Sequence, residues 1–219
     1  MKRPGPLLTL LAGLVLGLFL LTLDATTGTK TASSPYEEKS PSPAPTRSTV
    51  SPSPSPTPSR TPAPAPNADY AGRTDDDAAA IAVSVRDGRA IAYFCDGRTQ
   101  ESWLKGDVQD DGTLRLTGKN GAKLDGTLHD NKRIDGTVDV GGGHHAFTAD
   151  RAKKPSGLWR ATATVRSAKI DGGWIVLKDG TQVGILTRDG KPSPAPRIDP
   201  ETGTVTVDGQ QLTARPATP

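Results

Sequence analysis

The sequence predicts an all-β domain, mostly antiparallel, folded as a small barrel or a strongly coiled β-sandwich. Two observations predict it. From residue 68 onward, short apolar runs are punctuated by Asp-Gly, which occurs nine times, at Asp87, Asp96, Asp111, Asp125, Asp135, Asp171, Asp179, Asp189 and Asp208. Asp-Gly between alternating apolar residues marks hairpins, because both residues tolerate the positive φ of a type I′ turn. No window carries a run at helical spacing, a short turn at 75–80 apart.

The strands follow in order. Asp87-Gly88 separates a strand at 80–85 from one at 89–95, and Asp96-Gly97 ends the second. Strands at 99–108 and 113–117 flank Asp111-Gly112, and further strands are expected at 122–128, 133–140 and 145–149. After a loop at 153–156 come 158–169, 174–177 and 182–187, the last two divided by Asp179-Gly180. The pair 204–207 and 210–214 brackets Asp208-Gly209. Neighbours in sequence are expected to pair in space.

Some glycines belong inside strands. Gly106, Gly126 and Gly136 each have an apolar residue two before and two after, so all three positions share one face. A glycine on an inward face leaves room for a large side chain or lets the strand bend sharply. Such positions suit a coiled sheet that closes on itself.

Composition divides the 219 residues into segments: 1–25 as an N-terminal signal anchor, 26–67 as a disordered Ser/Pro/Thr-rich linker, 68–215 as the β domain and 216–219 as a tail. Lys2 and Arg3 precede an uncharged apolar run from Leu7 to Leu23. Its 17 residues cover ~26 Å as a helix, close to the ~30 Å hydrocarbon core. The two cations hold the N-terminus in the cytoplasm, so the β domain is expected outside the cell. Candidate cleavage sites are poor, which favours an uncleaved anchor over a secreted product. From Pro41 to Pro66 ten of the chain's 20 prolines alternate with Ser, Thr and Ala. Proline fixes φ and lacks the N–H, so this stretch favours extended polyproline II. Its 26 residues would reach on the order of 80 Å, enough for a spacer.

Charge disfavours nucleic acid as a partner. Six basic and three acidic residues precede Ala68 and account for the net charge of +3, leaving a neutral β domain. A phosphate-binding surface needs an excess of Lys and Arg. Cys95, the only cysteine, lies in an apolar run beside Asp96 and reads as a buried small hydrophobe rather than a reactive thiol.

The candidates for chemistry are weak. Ser102-Trp103-Leu104-Lys105 matches S-x-x-K, but that motif needs a helix and partner motifs this chain lacks. His144 and His145 are adjacent in an expected strand and should diverge, and His129 falls in a turn, so no metal site and no cofactor are expected. The aspartates at 75–77 and 110–111 lack the spacing of a calcium loop. Trp103, Trp159 and Trp174 could line a polymer-binding groove, though a small core recruits tryptophan too.

The run Ala92-Tyr93-Phe94-Cys95-Asp96-Gly97, with Glu101-Ser102-Trp103-Leu104 and Gly157-Leu158-Trp159-Arg160-Ala161, resembles exported, membrane-anchored proteins of high-GC Gram-positive (actinobacterial) bacteria. The resemblance covers the layout of leader, stalk and β domain. It implies a location and no activity. Two readings follow: an extracellular binding or interaction domain recognising a cell-wall polymer or an envelope protein, or a small envelope hydrolase whose site has no linear motif. The absence of a nucleophile motif favours the binding domain. A barrel holding a small ligand is a third, weaker reading.

Overall fold

The computed structural model describes residues 65–219, so the run from Leu7 to Leu23 and the linker before residue 65 lie outside the described residues. No helix among the described residues is long and apolar enough to cross a membrane. The chain forms β1 (Ala68–Thr74), β2 (Ala80–Arg86), β3 (Arg89–Cys95), β4 (Glu101–Val108), β5 (Thr113–Gly118), β6 (Lys123–His129), β7 (Arg133–Val140) and β8 (Gly143–Ala152). These eight make a closed antiparallel barrel in which each strand pairs with the next and β8 returns to β1.

A second sheet follows. β9 (Gly157–Val165), β10 (Ala168–Val176), β11 (Gln182–Arg188), β12 (Lys191–Pro194) and β15 (Arg215–Pro216) lie in the order β12-β11-β10-β9-β15. A hairpin of β13 (Thr204–Val207) and β14 (Gln210–Thr213) forms a separate two-stranded sheet.

Six of the nine Asp-Gly pairs lie in turns. At Asp87-Gly88, Asp189-Gly190 and Asp208-Gly209 both residues have positive φ and the flanking residues pair, as in two-residue hairpins. The other three lie inside β6, β7 and β10. The expected strand at 158–169 is instead a hairpin, because Arg166 and Ser167 take positive φ (47° and 68°) without any glycine. The expected 174–177 strand is the end of the resulting β10. Strands β1, β12 and β15 were not expected. β12 reads Lys-Pro-Ser-Pro and has no strand signature, since its prolines cannot donate to a ladder.

The strand-centre glycines bend the barrel. A Cβ on Gly106 would sit 2.1 Å from the Arg115 carbonyl oxygen, and one on Gly136 would sit 2.3 Å from that of Asp125. Gly126 and Gly136 face each other directly across β6 and β7. Gly106 and Gly136 thus let backbones approach, while at Gly126 the nearest atom is a side-chain methyl of Ile134.

Burial falls into three apolar clusters. Tyr70, Ile81, Phe94, Leu104, Leu116, Ile134 and Phe147, each 2% exposed or less, fill the barrel interior together with smaller neighbours. An eight-stranded barrel is just wide enough for side chains to fill. Trp159, Trp174, Ile170, Ile198, Val205 and Val207 form the core between the second sheet and the β13–β14 hairpin. The third cluster joins the two parts: Ala80, Ala82, Ile91, Tyr93 and Cys95 on the outer barrel wall meet Leu158, Ile175, Leu177 and Ile185. β2 and β3 are therefore buried on both faces. Their uninterrupted apolar sequence follows from that, where β5 and β6 alternate.

Candidate functional site

The turns of the barrel divide between its two ends. Residues 75–79, 96–100, 119–122 and 141–142 connect strands at one end, and 87–88, 109–112 and 130–132 at the other. At the first end lies a cleft of about 420 Å³ whose lining includes Arg73, Phe94, Asp96, Arg98, Gln100 and His145. Phe94, last of the inward residues of β3, gives it an apolar floor.

The loop 96–100 is tied by hydrogen bonds along its length. One oxygen of Asp96 accepts from the backbone N–H groups of Arg98, Thr99 and Gln100 at 2.8, 3.0 and 3.0 Å. Gln100 then donates through Nε2 to the Val140 carbonyl at 3.0 Å, tying this loop to the β7–β8 turn. Arg73 pairs with Asp77, while Arg98 is exposed and forms no ion pair among the described residues.

His145 and its neighbour diverge, as alternation along β8 dictates. His144 turns to Asp139 on the outside. His145 packs its ring against Phe94 at 5.5 Å between centroids and sets Nδ1 2.9 Å from Asp76 Oδ2. Hydrogen bonds from Thr74, the Ala78 backbone and His145 hold the Asp76 carboxyl down at about 2. An ionised carboxylate only accepts, so the Nδ1 carries the proton in this bond. Among the described residues no serine, cysteine or threonine lines this cleft, and the Thr74 hydroxyl beside Asp76 is buried. The arrangement can hold polar and charged groups against an aromatic floor.

A second polar constellation sits where the second sheet meets the barrel. Tyr93 Oη donates to Glu101 Oε2 at 2.6 Å, and Thr187 Oγ1 on β11 donates to Glu101 Oε1 at 2.7 Å. Tyr93 stacks on Trp103 with centroids 4.3 Å apart. The Arg160 guanidinium lies 4.5 Å over the Trp103 ring and grips Asp171 with two bonds, of 3.0 and 2.7 Å. Beneath the stacked rings lies Gly173, where a Cβ would come within 2.5 Å of Tyr93 and 2.8 Å of Trp103. Gly173 thus makes room for large side chains, as does Gly172, where a Cβ would lie 2.3 Å from the Trp174 ring.

The three tryptophans do not share a surface. Trp103 is half-buried in this junction, while Trp159 and Trp174 are 6% and 1% exposed in the core of the second sheet. Trp159 Nε1 donates to the Pro155 carbonyl at 3.0 Å and Trp174 Nε1 to that of Pro196 at 2.7 Å. Ser102 and Lys105 point to opposite faces of β4, one buried and one exposed. Cys95 is fully buried, and burial raises its thiol pKa to about 11. Among the described residues no three His, Cys, Asp or Glu side chains gather as metal ligands do.

Sequence reading missed the cleft residues Arg73, Arg98 and Gln100. The signal available was the length of the 96–100 connection, longer than a two-residue hairpin and opened by an aspartate. Comparison of the chain with protein-family models, with curated proteins and with solved structures found no match.

Proposed function

We propose that this chain is an extracytoplasmic binding domain, carried on an N-terminal membrane anchor and a proline-rich spacer, that recognises a cell-wall polymer or an envelope protein. One observation carries the reading: the cleft and the point of attachment lie at opposite ends of the barrel. The chain enters at Asn67, whose side-chain amide pairs with Asp87 in the β2–β3 turn through bonds of 3.1 and 2.7 Å. The cleft lies beyond the far end of β1. Seven residues of strand separate the two ends, roughly 23 Å along the strand. The cleft and the start of β1 thus lie at opposite ends of the barrel.

The cleft fits binding better than turnover. It joins an aromatic floor to a charged rim that includes Arg98, which forms no ion pair among the described residues, a combination that orients a polar ligand. The test is co-sedimentation of the full-length chain, in detergent, with purified sacculi of a high-GC Gram-positive bacterium. A heat-unfolded sample is the control. Wild-type protein is expected in the pellet, with Arg98→Ala reduced. Equal amounts of native and heat-unfolded protein in the pellet would remove the wall-polymer form of the proposal.

A further inference from the structure

A second cleft, of about 520 Å³, lies at the same barrel end, between the 99–102 segment, the 119–122 turn and the β11–β12 hairpin. Gln100 lines both clefts and forms the saddle between them. Glu101 lines this second cleft from a half-buried position. Both of its oxygens are held by neutral hydroxyls, those of Tyr93 and Thr187, and no cation contacts it among the described residues. Arg160, the cation packed nearby on Trp103, is committed to Asp171. A carboxylate has about four acceptor sites, so the two hydroxyls fix its position and leave acceptor capacity over.

Lys119, in the single 3-10 turn at Lys119–Gly121, lines the same cleft, is exposed and forms no ion pair among the described residues. One cleft therefore presents a half-buried anion and an exposed cation that form no ion pair with each other among the described residues. Between them stand neutral hydrogen-bonding side chains, Gln100, Ser102 and Asn120. This is the complement of a short chain with an amine at one end, a carboxylate at the other and amides between.

We propose that the cleft between Glu101 and Lys119 binds a short zwitterionic peptide, with the amine on Glu101, the carboxylate on Lys119 and the backbone amides on Gln100 and Asn120. The proposal rests on the binding-domain reading above and names the ligand class for the barrel end. Glu101, held by two hydroxyls, supplies the preorganised contact, and Lys119 supplies the adaptable one.

The experiment titrates isotope-labelled full-length protein in detergent with three probes: tri-alanine with free termini, N-acetyl-tri-alanine and tri-alanine amide. Backbone amide shifts at Gln100, Asn120 and Gly141 report occupancy. Free tri-alanine is expected to bind about tenfold more tightly than either capped form, as the loss of one charge-assisted contact implies. Glu101→Gln should abolish the advantage over the acetylated probe, and Lys119→Met the advantage over the amide. Lys119 is exposed, so its variant stays informative if Glu101→Gln fails to fold. Equal affinity for the three probes, or shifts confined to other amides, would overturn the proposal. Sedimentation with sacculi in the absence of tri-alanine binding would sink this inference alone. Tri-alanine binding without sedimentation would sink the wall-polymer reading and leave the peptide cleft standing.

Discussion

In the barrel, β8 pairs with β1 and no strand edge is left open, whereas the second sheet ends on β12 at one side and on the two-residue β15 at the other. The barrel buries its apolar side chains in its own interior. The second sheet has no interior of its own. One face leans on the barrel wall through Leu158, Ile175 and Ile185, and the other is roofed by the β13–β14 hairpin over Trp159 and Trp174. Its open edge is blunted by Pro192 and Pro194 in β12, which cannot offer N–H groups to another chain. Closure gives the barrel a core of its own, though its β2–β3 wall is covered by the second sheet; the sheet depends on what it is sandwiched between.

That difference is breakable at its weakest point first. Trp174→Ala removes the largest buried side chain of the second part together with its bond to Pro196. It is expected to cost about 3–5 kcal/mol, read by denaturant unfolding. Hydrogen exchange should quicken through β9–β11 while the barrel amides keep their protection. Equal loss of protection in both parts would show that they unfold as one unit.

The barrel answers to a different perturbation. Gly136→Ala would place a methyl 2.3 Å from a carbonyl oxygen and 2.7 Å from Gly126 Cα, where only backbone can yield. A loss of about 3 kcal/mol is expected, with fast exchange spreading around β6 and β7. A loss below about 1 kcal/mol would mean that the tight coil at Gly126 and Gly136 relaxes cheaply.

The smallest effect concerns the seam between the two parts. Burial raises both the Cys95 thiol, from 9.0 to about 11, and the Tyr93 hydroxyl, which also loses by its nearness to Glu101 and Cys95. Between these limits the folded protein keeps a proton that the unfolded chain releases, so stability falls as pH rises above 9. Cys95 alone should account for about 2 kcal/mol between pH 8 and 11, read as a falling denaturation midpoint. Cys95→Ser should flatten that slope. An unchanged slope would place the alkaline sensitivity elsewhere.

The two parts were also unequally legible. In the barrel, β3 and β7 run between the residues their turn signals mark, because Asp-Gly announces each adjoining hairpin or the apolar run stops cleanly. In the second sheet the hairpin at Arg166-Ser167 carries no such signal, and the single long strand expected there is two. β1 escaped notice because Gly72 and the charged residues of its outer face break its apolar pattern. Glu101 drew no attention either, since nothing in a lone glutamate foretells that Tyr93 and a threonine 86 residues away will hold it.

What the sequence by itself determined is local: the all-β class, most hairpins and the inward face of the strand-centre glycines. Each follows from φ preference or from period-two alternation, which act over a few residues. Tertiary structure alone decided that eight strands close into a barrel, and that a second sheet covers β2 and β3. It also decided that Gly173 receives the Tyr93–Trp103 stack and that Glu101 and Lys119 line one cleft. Those outcomes depend on registers and packing between segments far apart in the chain, where no short window of residues carries the information.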